Sequence, residues 1–226
     1  MEIVPGIHQV DGVNGNCYII IRDGIIIVDT GLPGASRKIL SYIEETLGHK
    51  PSDIKTIILT HHHIDHAGNV NALLSAGAGK VAIHEADAGF VSGKKNTALP
   101  GGWRGAFFRV LGVFMKTRPF QPDILLHDHD VIEGLTCIHA PGHTPGSICL
   151  LDPAAGVLFA GDTLRFDGRK IEGPPAQFTP DMGLAYQSIK KIATLDFDIM
   201  LSGHGVPLRP GASGKVREFA NRLEKA

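Results

Sequence analysis

The chain is short of cysteine, of aromatic side chains and of unbalanced charge. Only three cysteines occur among its 226 residues. They are Cys17, Cys137 and Cys149, an odd and isolated set without a CxxC pair. Such a set offers no disulfide framework and no structural zinc knot. It reads as reduced, mostly buried thiols, the habit of a cytoplasmic protein. Aromatic residues make up 6% of the chain, and 22 basic residues face 23 acidic ones. A surface so balanced gives no electrostatic basis for a nucleic-acid partner. No run approaches the roughly 18 apolar residues that cross a bilayer, so no membrane partner is expected. The opening MEIVPGIHQVDG has neither the basic start nor the continuous apolar core of an export signal. Low-complexity tracts and blocks of like charge are missing as well. What is present is 43% hydrophobic content at a length that suits one domain, expected over residues 1–226. The sequence sets no oligomeric state.

Apolar runs of strand length recur between Gly, Pro and Asp punctuation: Asn16 to Ile21, Gly24 to Val28, Thr56 to Leu59, Lys80 to Ile83, Gly134 to His139, Ser147 to Leu151, Gly156 to Phe159 and Ile199 to Leu201. Several are continuous rather than alternating, which predicts strands covered on both faces. Helical stripes separate some of them, over Ser36 to Leu47, Met182 to Leu195 and Val216 to Leu223. Two comparable halves of this kind suit sheets sandwiched between helices. An insert at 86–123 departs from the pattern. It is apolar yet broken by Gly and Pro, and it holds Phe90, Trp103, Phe107, Phe108, Phe114 and Phe120, including the only tryptophan. Its plain reading is a helix pair packed on the core. Its sharper reading is a lid whose side chains Trp103, Phe107, Phe108 and Phe114 line a substrate pocket.

The chemistry concentrates in Thr60 to Gly68, THHHIDHAG, directly after an apolar run. A strand fixes the base of such a loop, so its ligands can converge on one point. In an extended segment His61, His63 and Asp65 share a face, and His66 follows where the chain turns towards a helix. His61 and His63 could then hold one ion, with Asp65 and His66 on a second beside it. Imidazole and carboxylate suit zinc, iron or manganese. The competing reading, a polar loop of solvated histidines, sits poorly with so dense a cluster. Three further ligand-type residues follow apolar runs: His143 in CIHAPGHTPGS, Asp162 in VLFAGDTL and His204 in DIMLSGHG. His62 alternates out of the cluster and is expected to be packed or hydrogen-bonded. His84, ending KVAIH, could touch substrate near a site entrance. His127 and His129 imitate an HxH pair but lie in a probable turn and read as solvated.

These residues carry a family resemblance. His61-His62-His63-Ile64-Asp65-His66 resembles the HxHxDH signature of the metallo-β-lactamase superfamily, and Asp29-Thr30-Gly31, Pro141 to Ser147, Gly161-Asp162-Thr163 and Gly203-His204-Gly205 resemble its supporting motifs. The resemblance implies an α/β fold, the four-layer αβ/βα sandwich, with its site at one edge of the two sheets. It implies that His61, His63 and His143 hold a first metal, that Asp65, His66 and His204 hold a second, and that Asp162 bridges them. Asp29 would support a ligand histidine by a hydrogen bond. Two divalent ions are implied, zinc first, with iron or manganese as alternatives.

Within the superfamily, Asp162 stands where the main subclass of zinc β-lactamases has cysteine. His63 stands where flavodiiron enzymes have glutamate. Nucleases of the superfamily usually add a clamp or RNA-binding arm, which no segment here resembles. Glyoxalase II enzymes and lactonases match better, although only a short stretch follows His204, where glyoxalase II has a helical region for glutathione. The expectation is therefore a dinuclear metal-dependent hydrolase. It would cleave an ester, thioester or lactone of a small molecule with an apolar portion by a metal-bridging hydroxide that Asp65 orients. Two alternatives are a mononuclear-iron persulfide dioxygenase and a metal-binding protein without turnover.

Overall fold

The computed structural model describes residues 1–96 and 118–223. Strands β1 (Glu2–Val4), β2 (Ile7–Gln9), β3 (Tyr18–Arg22), β4 (Gly24–Val28), β5 (Ile54–Ile58), β6 (Lys80–His84) and β7 (Ile124–Leu126) form a seven-stranded sheet in chain order. Pairing is antiparallel from β1 to β4 and parallel from β4 to β7. Strands β8 (Val131–Ile132), β9 (Leu135–His139), β10 (Ile148–Asp152), β11 (Val157–Gly161) and β14 (Ile199–Ser202) form a five-stranded sheet in the order β14-β11-β10-β9-β8. A ribbon of β12 (Arg165–Phe166) and β13 (Ile171–Glu172) completes the strands.

Helices α1 (Ser36–Ser41), α2 (Ile64–Ala67), α3 (Val70–Ser75) and α4 (Glu85–Val91) belong to the first half, and α5 (Met182–Ala193) and α6 (Ala212–Leu223) to the second. The isoleucine-rich runs explain the layering. In β4, Ile26 and Val28 enter the core between the sheets, facing Leu135, Leu150 and Phe159. Their neighbours Ile25 and Ile27 enter a second core against Ile39, Ile43 and Leu73 of the helices. Leu158 and Cys149 of the other sheet meet Ile189, Ile192 and Val216 in a third. Both faces of each central strand are thus covered, which is why the runs are continuous. The result is the four-layer sandwich of the metallo-β-lactamase fold. Truncating one fully buried isoleucine of these layers to alanine costs about 2–5 kcal/mol.

Departures from expectation lie at element edges. The helix over Ser36 to Leu47 widens in its last turn into a π-helical segment, where the Leu47 N–H reaches the Tyr42 carbonyl at 3.1 Å. Helix α6 starts at Ala212, ahead of the expected Val216, because Asp198 anchors its first residues: Oδ1 accepts the Gly211 N–H and the main-chain carbonyl accepts that of Ala212. Strands β1, β2, β7, β8, β12 and β13 have two or three residues each and are too short to show a period. At the ends of the insert, Val91 and Phe120 are buried in the helix-side core. Trp103, Phe107, Phe108 and Phe114 lie outside the described residues. All three cysteines are free and buried. No helix among the described residues is long and apolar enough to cross a membrane.

Candidate metal centre

Strand direction brings the ligand-type residues to one edge. β4 and β5 are parallel, as are β11 and β14, and two antiparallel steps through β10 make β9 parallel to β11. Asp29 follows β4, the His61–His66 segment follows β5, His143 follows β9, Asp162 follows β11 and His204 follows β14. Carboxyl ends of parallel strands are where an α/β sheet builds its sites. Cross-links between the sheets fix that edge: the Ile148 N–H donates to the Thr60 carbonyl at 2.9 Å, and the Asn16 N–H to the Gly203 carbonyl at 2.7 Å. A Cβ on Gly203 would lie 2.4 Å from Asp162 Oδ1 and 2.5 Å from His66 Cε1, so only glycine lets this strand end approach the cluster.

Three overlapping sets of ligand atoms each lie within 4.8 Å of one another: His61, His63 and His143; His61, His66 and Asp162; Asp65, His66 and His204. His61 Nε2 and His63 Nδ1 are 3.1 Å apart. Asp162 faces both ways. Its Oδ2 is 3.5 Å from His143 Nε2, and its Oδ1 is 3.4 Å from His66 Nε2 and 3.7 Å from His204 Nε2. Asp65 Oδ2 is 3.1 Å from His204 Nε2. All seven residues that the sequence singled out as ligands therefore meet at one place. The side chains of Asp65 and His204 are 29% and 35% exposed, whereas that of Asp162 is 8% and that of His143 is 2%. The cluster is closed on one side and open on the other.

Hydroxyl and carboxylate groups orient the rings. The single proton of Thr60 Oγ1 goes to Asp29 Oδ2 at 2.7 Å, so the hydroxyl can only accept from His61 Nδ1, 3.1 Å away. Thr179 Oγ1 likewise donates to the Pro175 carbonyl at 2.9 Å and accepts from His143 Nδ1 at 3.1 Å. Asp29 Oδ2 accepts from His66 Nδ1 at 2.7 Å. The opposite nitrogens, Nε2 of His61, His143 and His66, are then the ones that face the cluster. Asp29 holds its place with a left-handed backbone (φ 58°) and an Oδ1 that accepts the Thr60 N–H at 2.8 Å. Aspartate tolerates this region better than most residues, and these hydrogen bonds hold it there.

Charge follows from burial and neighbours. Burial, reinforced by the imidazoles of His66, His63 and His143, holds His61 well below the ordinary histidine value. Burial and His143 bring His63 down to about 3, and burial lowers His143 against the pull of Asp162. For His66 burial opposes charge, but Asp29 and Asp162 override it and hold the imidazole well above its usual value. The carboxylates around His66 thus favour positive charge at this point, whether a proton or a cation supplies it. Burial also opposes ionisation of both carboxylates of the cluster. The His204 hydrogen bond and His66 nevertheless bring Asp65 down to about 2, and His66, His204 and His143 hold Asp162 below the usual range.

These residues fit a pair of cations. His66 Nε2, His143 Nε2 and Asp162 Oδ1 are buried without a hydrogen-bond partner, which is costly unless another electron-pair acceptor is present. Imidazoles and ionised carboxylates are also the donor set that zinc, iron or manganese takes.

The other histidines separate from the cluster. His62 turns away, 2.8 Å from Asp87 Oδ2 through Nδ1 and stacked on Phe90 at 4.0 Å. His84 is 5% exposed, stacked on His139 at 3.9 Å, and its Nδ1 accepts the Ala86 N–H at the start of α4. It is a helix cap and stacking partner rather than an open side chain at an entrance. The side chains of His127 and His129 are 55% and 72% exposed. Sequence reasoning missed Thr60, Thr179 and Asp87. Thr60 could have been found from its place beside His61; the other two carry no local signal.

A family model described as the metallo-beta-lactamase superfamily matches residues 10–204. The chain is 30% identical to the probable metallo-hydrolase YflN of Bacillus subtilis (strain 168), over 98% of this chain and 92% of that protein. It is 32% identical to the acyl-coenzyme A thioesterase MBLAC2 of Homo sapiens, over 75% of this chain and 62% of that protein. Among solved structures, the metallo-beta-lactamase family protein TTHA1429 from Thermus thermophilus superposes with a TM-score of 0.73 at 24% identity, covering 99% of this chain and 81% of that one.

Proposed function

Because this chain belongs to the metallo-β-lactamase superfamily, we propose that it is a two-metal hydrolase of a small carbonyl substrate with an apolar acyl portion. A thioester is the first candidate, and an ester or lactone the next. The observation that carries this reading is the cluster of seven ligand-type residues with three buried, unpartnered polar atoms at its centre. The thioesterase relative favours the thioester. The apolar portion rests on the aromatic content of the insert, Trp103, Phe107, Phe108 and Phe114, and on Phe90 stacked beside the cluster at His62. Three unpaired buried cysteines favour a reducing, cytoplasmic setting.

His61, His63 and His143 would hold one ion, and Asp65, His66 and His204 the other, with Asp162 offering one oxygen to each. When bound, two such ions supply an acidified water and an electron-pair acceptor for a carbonyl oxygen. The remaining work belongs to the chain. Asp29, Thr60 and Thr179 keep the protons of His66, His61 and His143 on the nitrogens that face away from the centre. Asp65, on the open side, orients a water. The carbonyl carbon gains that oxygen and loses its bond to sulfur, and the proton the water gives up goes to the leaving thiolate. The openness of the Asp65–His204 side supports turnover rather than metal storage.

The test is metal content together with a panel of acyl thioesters, esters and lactones. Two ions per chain, with thioester hydrolysis lost on chelation and restored by zinc, iron or manganese, is the expected result. One iron per chain with oxygen uptake favours a persulfide dioxygenase instead. Two ions without turnover of any panel member leaves a binding protein.

A further inference from the structure

The ligands of the closed group come from two different sheets. His61 and His63 leave β5, and His143 leaves β9. Between the two loops sits a carboxylate that the metal site does not use. Asp87, in α4, is 0% exposed. Its Oδ2 accepts the His62 main-chain N–H at 2.9 Å, His62 Nδ1–H at 2.8 Å and the Thr144 hydroxyl at 2.7 Å. Its Oδ1 accepts the Gly146 N–H at 2.7 Å. One side chain therefore holds the residue between His61 and His63 and two residues just after His143.

The contact is close. A Cβ on Gly146 would lie 2.7 Å from Asp87 Cγ and from Asp87 N, so the PGHTPGS loop can reach this carboxylate only because residue 146 is glycine. Four donors from two loops fill the roughly four acceptor sites of this one buried carboxylate. Charge-assisted bonds of this kind are about twice as strong as neutral ones.

We infer that Asp87 is a positioning residue that fixes the separation of the His61–His63 loop and the His143 loop, and so sets affinity for one metal ion of the pair. It acts through His62, Thr144 and Gly146 and touches neither metal nor substrate. The inference rests on the two-metal reading above. A matched control exists in Asp152, also 0% exposed, which is paired with Arg22 and accepts the Ala155 N–H in another part of the molecule.

The experiment uses the full chain, stripped by a chelator and titrated with zinc against a chromophoric competitor, with thermal melting in parallel. In Asp87→Asn one acceptor becomes a donor facing donors. Affinity for one zinc should fall about 10–100-fold, the usual loss when a partner of a ligand is altered, while the second zinc keeps its affinity. Asp152→Asn should lower the melting temperature yet bind both zinc ions as wild type does. Thr144→Val removes one bond of the clamp and should weaken the same zinc ion by less; it serves if Asp87→Asn does not fold. Asp87→Asn or Thr144→Val with wild-type zinc affinities overturns the inference, and so does Asp152→Asn losing zinc in proportion to its lost stability. Wild-type protein that binds no pair of zinc ions overturns the two-metal reading and this inference with it. Two zinc ions in wild type with an unaffected Asp87→Asn overturns the inference alone.

Discussion

The two sides of the metal cluster are built differently. His61 and His143 form the closed side, where their rings are buried and each ties its outer proton to a threonine, with the half-buried His63 at its margin. Asp65 and His204 form the open side, where side chains are 29% and 35% exposed and pair with each other. Only His66, completely buried and tied to Asp29, anchors the second group to the interior. The difference separates two duties that a hydrolytic metal site must combine. Tight ligation needs preorganised donors that lose little freedom on binding. Turnover needs coordination positions that water and substrate can reach. On the two-metal reading proposed above, one side would supply the first and the other the second, and Asp162 would belong to both.

That shared residue offers the most severe way to break the contrast. Asp162→Ala should cost one ion per chain and lower kcat/KM for the best thioester by at least about 100-fold, the scale of one lost electrostatic stabiliser. Metal analysis and steady-state kinetics decide it, and a variant with two ions and full activity would show that the sides do not share a bridge. A narrower cut is Thr179→Val, which removes the acceptor for His143 Nδ1–H and touches the closed side alone. Zinc affinity at one site should drop by about 10–100-fold. An equal drop at both sites, read by competitive titration, would erase the distinction between them.

A smaller effect is expected from pH. The buried carboxylate of Asp87 is penalised by desolvation, but the His62 and Thr144 hydrogen bonds hold it below the usual range. Its folded value is thus below the unfolded one of about 3.9, so its stabilising contribution is present above that pH and is lost as pH falls through the folded value. Melting temperatures followed downward from neutral pH should therefore fall more steeply in wild type than in Asp87→Asn; parallel curves would contradict the charged clamp. The mildest change is His62→Gln. Glutamine can still donate to Asp87, and His62 faces away from the cluster, so metal content should stay at the wild-type level. Loss of an ion, by elemental analysis, would mean that His62 belongs to the closed side after all.

Much of this is legible in the order of residues alone. Gly24 to Val28 is a strand with the limits its apolar run proposes, and the runs ending near Leu59, His139, Phe159 and Leu201 all lead into ligand loops. The HxHxDH spacing proposed two ligand pairs, and the alternation that turned His62 outward holds in the structure. The illegible parts depend on separation along the chain. Thr179 reaches a histidine 36 residues away, and Asp87 reaches Thr144 across 57. Neither has a periodic or motif signal, because threonines and aspartates on loops and helix starts are common. The short strands at the sheet edges were hidden for a related reason, since pairing rather than composition makes them.

By itself, then, the order of residues determined which strands would be buried on both faces and which loops would carry imidazoles and carboxylates, because periodicity and local spacing are properties of neighbours in the chain. Only the folded arrangement decided which nitrogen of each ring points inward, which side of the cluster opens to water, and which carboxylate ties the two sheets together. Those depend on the proximity of groups from distant segments, and proximity arises when two sheets close on a common core.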